Sequence, residues 1–255
     1  MKQTLGLIAG MCVGGLMATT QTGSAAEVKV LTAGAFKQVV VAVLPEFEKQ
    51  TGHKVVLDND TVGALTKRIE GGETFDVVVL TPGAVDELAK KGKLAEGSKT
   101  ALAKVGVGVM VKAGAPKPDI GTVDAFKRAL LNAKSVAYID PASGGSSGIY
   151  VAGLLDRLGI AADVKPKAKL KQGGYVADLI KSGEAELGIH QISEIVPVKE
   201  VTLVGPLPAE IQNYTTYAAA ISPNAKDSEA AKALIKVFSG PAAAAVLKEK
   251  GMDRP

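Results

Sequence analysis

The 255-residue chain has no tryptophan, one cysteine and two histidines, and only 4% of its residues are aromatic. The cysteine is Cys12, close to the N-terminus, so everything beyond it is cysteine-free. That excludes a disulfide, a thiolate nucleophile and a cysteine metal site from the body of the protein. His53 and His190 lie far apart and neither has a second histidine within helical reach, which argues against a metal site built on a histidine pair. No nucleophile-elbow, phosphate-loop or calcium-loop pattern appears. Lysines and arginines exceed acids by only four, the lysines are scattered, and there is no arginine-rich arm. A nucleic-acid partner is therefore not expected.

The first residues differ in character from the rest. Lys2 is the one charge in residues 1–26, and an uncharged run of apolar and small residues from Leu5 to Thr19 follows it. The stretch then ends in Ser24-Ala25-Ala26. A basic start, an apolar segment too short for a bilayer and small residues at the end describe a secretory signal peptide over residues 1–26, cleaved after Ala26. Met11 before Cys12, and apolar sequence after it, do not fit a lipoprotein signal. The expected location is the periplasm, for a protein that must hold together by packing alone.

Beyond residue 26, short runs rich in valine and isoleucine alternate with helical patterns. Strands are expected at 28–32, 53–57, 75–80, 106–111, 135–139, 187–192, 201–204 and 214–221. Several are almost continuously apolar, as suits strands covered on both faces. Helices are expected around Val40, Val43, Leu44 and Phe47 (with Pro45 awkward inside), and at 64–70, 84–91, 123–133, 149–158, 176–181, 228–238 and 242–250. The alternation predicts an α/β fold with mostly parallel sheet. The proline-containing stretch 112–120 is the most linker-like and suits a crossing between two lobes.

Several strands run directly into glycine- or hydroxyl-containing turns that open helices. Thr32-Ala33-Gly34-Ala35 follows the first strand, and Asp58 to Gly63, with Thr61 and Val62, follows the second. Asp140 to Gly148 holds Ser146 and Ser147 among three serines and three glycines, and Gly173-Gly174 precedes a further helix. In an open sheet such turns gather at the strands' carboxyl edge, where helix starts offer unpaired N–H donors and the positive end of a dipole to an anion. Arg68, one turn into its helix, either reaches that anion or lies on the surface. His190 and Gln191, at the end of an apolar run, either face a ligand or pack locally. Tyr175, beside two glycines, is a candidate for the cleft wall, whereas His53 reads as structural or exposed.

These residues also carry a family likeness across essentially the whole chain after residue 26. FEKQTGHKVVL, GALTKRIEGGETFDVVVLT, DPASGGSSGIYVAGLLDRLGI, SGEAELGIHQISE and SGPAAAAVLKEKGM resemble the molybdate-binding-protein type of periplasmic solute-binding protein. That family implies a class II binding fold: two α/β lobes joined by two crossing segments, with the ligand in the cleft between them. Applied here, lobe 1 spans 27–111 plus 213–255 and lobe 2 spans 112–212. The implied partners are a small anion and an inner-membrane ABC transporter permease; a monomer without cofactor or metal is expected.

The resemblance places the family's two ligand serines on Gly34 and Val62, its tyrosine on Gln191, and its backbone donors on Ser147 and near Gly173. Three hydroxyls are thus missing, and a tetrahedral oxyanion depends on such short donors converging on it. GAPKPDI, DAFK, AKSVAY and GIHQISE further resemble the branch that includes aconitate isomerase. Two expectations follow. One is a receptor for a small organic carboxylate, ahead of molybdate. The alternative is an aconitate isomerase, which shifts a proton across an allylic tricarboxylate and needs a base such as His190.

Overall fold

The structure, a computed structural model, describes residues 25–255. The signal-like segment and Cys12 lie outside the described residues, apart from Ala25 and Ala26. In chain order come β1 (Glu27–Ala33), α1 (Gly34–Thr51), β2 (Lys54–Asp60), α2 (Val62–Glu70), β3 (Val77–Leu80) and α3 (Pro82–Lys90). Next are β4 (Thr100–Lys112), α4 (Val123–Asn132), β5 (Val136–Ile139), α5 (Ser146–Arg157), α6 (Ala161–Val164) and β6 (Ala168–Lys171). Then follow α7 (Ala177–Lys181), β7 (Leu187–Gln191), α8 (Ile192–Ile195), β8 (Val201–Pro206), β9 (Tyr214–Ile221), α9 (Ser228–Ser239) and α10 (Pro241–Glu249).

The strands form one path, β2-β1-β3-β9-β4-β7-β5-β6, with β8 also on β4. The outer pairs are parallel, as expected: β1 with β2 and β3, and β5 with β6 and β7. The middle differs. β9 runs antiparallel to β3 and β4, and β7 and β8 run antiparallel to β4. The sheet is therefore mixed, because the chain crosses from one half to the other along β4 and returns along β9 in the opposite direction.

β4 belongs to both halves. Its residues up to Gly106 pair with β9, and from Val107 onward they pair with β7. β4 thus runs without a break from one set of partners to the other. At that change of partners the side-chain amide of Gln212 acts as a strand partner. Val107 N–H donates to Gln212 Oε1 at 2.9 Å, and Gln212 Nε2 donates to the Val107 carbonyl at 3.0 Å. Gln212 lies on the return segment between β8 and β9, so this pair ties the two crossings together.

Each half buries apolar side chains on both sheet faces. In the first half, α1, α9 and α10 cover one face around Phe36, Phe47 and Phe238, and α2 and α3 cover the other around Leu65 and Leu88. Phe36 and Phe238 meet edge to face with centroids 5.7 Å apart. In the second half, α4 and α5 cover one face around Phe126 and Leu154, and α7 with Ile195 of α8 covers the other. Pro45 sits inside α1 without ending it. β6 was not expected: its sequence AKLK is an edge strand whose lysines keep the open edge solvated.

Candidate functional site

Three helices begin around one small cavity between the halves. α1 starts at Gly34 directly after β1, and α2 starts at Val62 after β2. α5 starts at Ser146, three residues before the expected position, which places Ser146 and Ser147 in its first turn. The first N–H groups of each helix have no partner within the helix, so three positive dipole ends face the same space. The cavity holds about 30 Å³, enough for a water or two, and is lined by Gly34, Ala35, Asn59, Asp60, Thr61, Val62, Gly145, Ser146, Ser147, His190, Gln191, Glu194 and Tyr217 among others. Wider hollows on the outer surface, such as one of about 440 Å³ near Lys117 and Arg128, lack this concentration of buried polar groups.

Eight of the residues expected from sequence meet here: Gly34, Ala35, Thr61, Val62, Ser146, Ser147, His190 and Gln191. Three lie elsewhere. Gly173 is beside the cavity wall, near Asp60 and Thr61, while its neighbour Gly174 lines the space. The Tyr175 hydroxyl accepts a hydrogen bond from Gln38 Nε2 at 2.5 Å, bridging the second half to α1. Arg68 points away onto carboxylates: it pairs with Asp58, with Glu73 at 2.5 Å and with Asp60 at 3.7 Å. Hydrogen bonds from Arg68, and from Lys29 at 2.9 Å, hold the Glu73 carboxyl down at about 2. His53, off the cavity, uses Nδ1 to accept from Ala26 N–H at 3.0 Å.

The Thr61 hydroxyl is occupied twice over. It caps α2 by accepting from Ala64 N–H at 3.1 Å and donates across the cleft to the Ser143 carbonyl at 2.5 Å. Beside it, Gly63 N–H donates to the Gly144 carbonyl at 3.1 Å. Gln191 Nε2 donates to Thr215 Oγ1 at 2.9 Å and to Ser146 Oγ at 3.3 Å, leaving its Oε1 buried without a partner.

The most unusual chemistry is a residue that sequence reasoning missed. Glu194, on α8, is 6% exposed, and its Oε2 lies 3.3 Å from His190 Nε2. Its other oxygen rests against the start of α1: a Cβ on Gly34 would lie 2.6 Å from Glu194 Oε1. Burial raises the Glu194 carboxyl to about 8 against a smaller opposing pull from Lys37, and burial lowers the His190 imidazole to about 3. At neutral pH both are uncharged. With the Glu194 proton on Oε1, Oε2 can accept from His190 Nε2–H, which leaves Nδ1 as the bare ring nitrogen, an atom with no other partner. Burial and the nearby Glu194 also push the Tyr217 phenol up. The signal for Glu194 was its position four residues after a buried histidine at the end of an apolar strand.

The cavity wall carries no lysine or arginine, and the backbone N–H groups at the three helix starts suit it to negative charge. A model of the bacterial extracellular solute-binding protein family matches residues 28–253. An aconitate isomerase from Pseudomonas sp is 34% identical over 229 residues, covering 88% of this chain and 86% of its own. The molybdate-binding protein ModA of Azotobacter vinelandii is 31% identical, covering 89% of this chain and 90% of its own. Among solved structures, the periplasmic molybdate-binding protein of A. vinelandii superposes with a TM-score of 0.73 at 24% identity, over 89% of this chain and 99% of its own. The sulfate-binding protein SubI of Mycobacterium tuberculosis does so at 0.72 with 18% identity, over 90% and 87%. Sequence and architecture agree: this chain belongs to the bacterial extracellular solute-binding proteins and has their two-lobed class II fold, with its cavity between the lobes.

Proposed function

We propose that the protein is exported to the periplasm and captures a small organic carboxylate between its lobes, 27–111 with 213–255 and 112–212, for delivery to an ABC transporter. The observation that carries this reading is the convergence of α1, α2 and α5 on one cavity. A carboxylate is favoured over molybdate because Gly34, Val62 and Gln191 bring no hydroxyl, and because the Thr61 hydroxyl is already engaged. The cavity is too small for a tricarboxylate as it stands, so capture requires the lobes to part and close again around the ligand. Thermal-shift measurements with cis-aconitate, trans-aconitate, citrate and molybdate, each added separately, test the reading. Stabilisation by a carboxylate is expected; stabilisation by molybdate alone overturns it.

A second reading, aconitate isomerase, is favoured by the His190–Glu194 pair. A buried carboxyl whose titration falls near the working pH suits a group that takes a proton from one end of an allyl system and returns it to the other. The 34% identical relative named for that activity supports it. Proton NMR of cis-aconitate with the purified protein distinguishes the readings. Steady conversion to the trans isomer makes the protein an enzyme, and binding without conversion leaves it a receptor.

A further inference from the structure

The three helix starts account for a bound anion but not for the carboxyl among them. An ionised carboxylate there would repel the ligand it is meant to share space with, at close range and out of water. The geometry resolves this if the carboxyl keeps its proton.

We propose that Glu194 is a ligand-binding group in its protonated form, donating a hydrogen bond to the captured anion, so that binding is linked to one proton and ionisation of Glu194 expels the ligand. The inference rests on the anion-capture reading above and deepens it. Three observations support it. Glu194 lines the cavity with 6% of its surface exposed. One of its oxygens lies against the first residue of α1, where an anion held by that helix would sit. The other is 3.3 Å from a histidine that burial keeps neutral, so His190 brings no cation to favour the ionised form of Glu194.

The surrounding charges agree. From α1, Lys37 acts on Glu194 but is outweighed by burial. β7 contributes His190, and β9 contributes Tyr217, whose phenol is pushed up in part by Glu194. Tyr175 approaches from the turn before α7, and Asp60 stands at the end of β2 on the cavity wall. β8 carries no titratable residue, and the lysines of β4, Lys104 and Lys112, lie towards its two ends. A second anion entering this set raises the cost of ionising Glu194 further, so ligand and proton bind cooperatively.

The test is the affinity for trans-aconitate, with molybdate as a parallel arm, measured by calorimetry at about pH 6.5 and about pH 9. For the wild-type protein, affinity is expected to fall about tenfold at the higher pH. Glu194→Gln, which keeps a donor but cannot ionise, is expected to bind with little change between the two. A separate readout uses the unaltered protein: carbon NMR of labelled glutamate carboxyls, in which Glu194 is expected to titrate far above the ordinary range. Wild-type affinity that does not change with pH, the same decline in Glu194→Gln, or an ordinary Glu194 titration each overturns the proposal alone. Failure of both anions to bind at either pH overturns it together with the capture reading.

Discussion

Gly63 and Gly144 meet face to face across the cleft, the N–H of one on the carbonyl of the other at 3.1 Å, and neither position has room for a side chain. A Cβ on Gly63 would lie 2.7 Å from the Gly144 α-carbon, which is backbone and cannot move aside alone. Gly63 has an ordinary φ and sits in the first turn of α2, so alanine there strains nothing within its own lobe. Gly63→Ala is therefore expected to prop the lobes apart while leaving stability unchanged or slightly higher. Affinity for whichever anion stabilises the wild type should fall at least about tenfold. Small-angle scattering of the unliganded variant should give a larger radius of gyration. An unchanged radius and affinity would show that the two glycines do not set the closed distance.

The buried pair makes stability depend on pH from both sides. Glu194 is raised from 4.5 to about 8, so its contribution is complete below about pH 4.5 and is lost as pH climbs towards 8. His190 is lowered from 6.5 to about 3, so its contribution is complete above about pH 6.5 and is lost as pH drops towards 3. Urea midpoints between pH 4 and 9 should show Glu194→Gln becoming more stable relative to wild type as pH rises, by up to about 1.4 kcal/mol per unit. Parallel curves for variant and wild type would contradict the shift.

Arg68 is expected to matter for folding and not for capture. Its guanidinium joins β2, α2 and the turn before β3 through Asp58, Asp60 and Glu73, and its side chain is 30% exposed. Replacing it with methionine should cost about 1 kcal/mol of stability at neutral pH. Glu73, held at about 2, then loses its main partner, so the difference from wild type should shrink as pH falls from 4.5 towards 2. Ligand affinity should stay within about twofold. Loss of binding in a variant that folds normally would place Arg68 on the ligand in the opened protein.

Export predicts a defined product. When the whole chain is produced with its own N-terminus, protein from the periplasmic fraction should begin at Glu27, which intact mass and N-terminal sequencing can read. Cleavage there also removes the hydrogen bond from Ala26 N–H to His53 Nδ1. A periplasm-free product beginning at Met1 would sink the export reading.

The alternation of strands and helices was legible because β3 is covered on both faces and reads as the unbroken apolar run VVVL, and because β1 and β9 are buried over their later residues. The turns opening α1, α2 and α5 were legible because glycine and hydroxyl residues cluster where backbone must approach something closely. Other features left weak traces. β6 hides behind its lysines, and the alanines of TALAK at the start of β4 have little strand propensity, although pairing with β9 makes them strand. Glu194 leaves little trace in the sequence because α8 has only four residues, too few to reveal a helical period. Arg68 drew attention because its partners Asp58 and Glu73 are brought to it only by the fold.

Gln212 gives the lobes a pivot with unusual properties. An ordinary rung between two strands breaks when the strands splay, exposing an N–H and a carbonyl at a cost. Here the rung at Val107 is made by a side-chain amide whose oxygen also accepts from Asn213 N–H at 2.8 Å, so the rung travels with the return segment. The protein can flex at its waist with both groups still satisfied, so the work of opening falls on the few contacts across the mouth, among them Thr61–Ser143 and Gly63–Gly144. Those contacts, more than the waist, are then expected to resist the parting of the two halves.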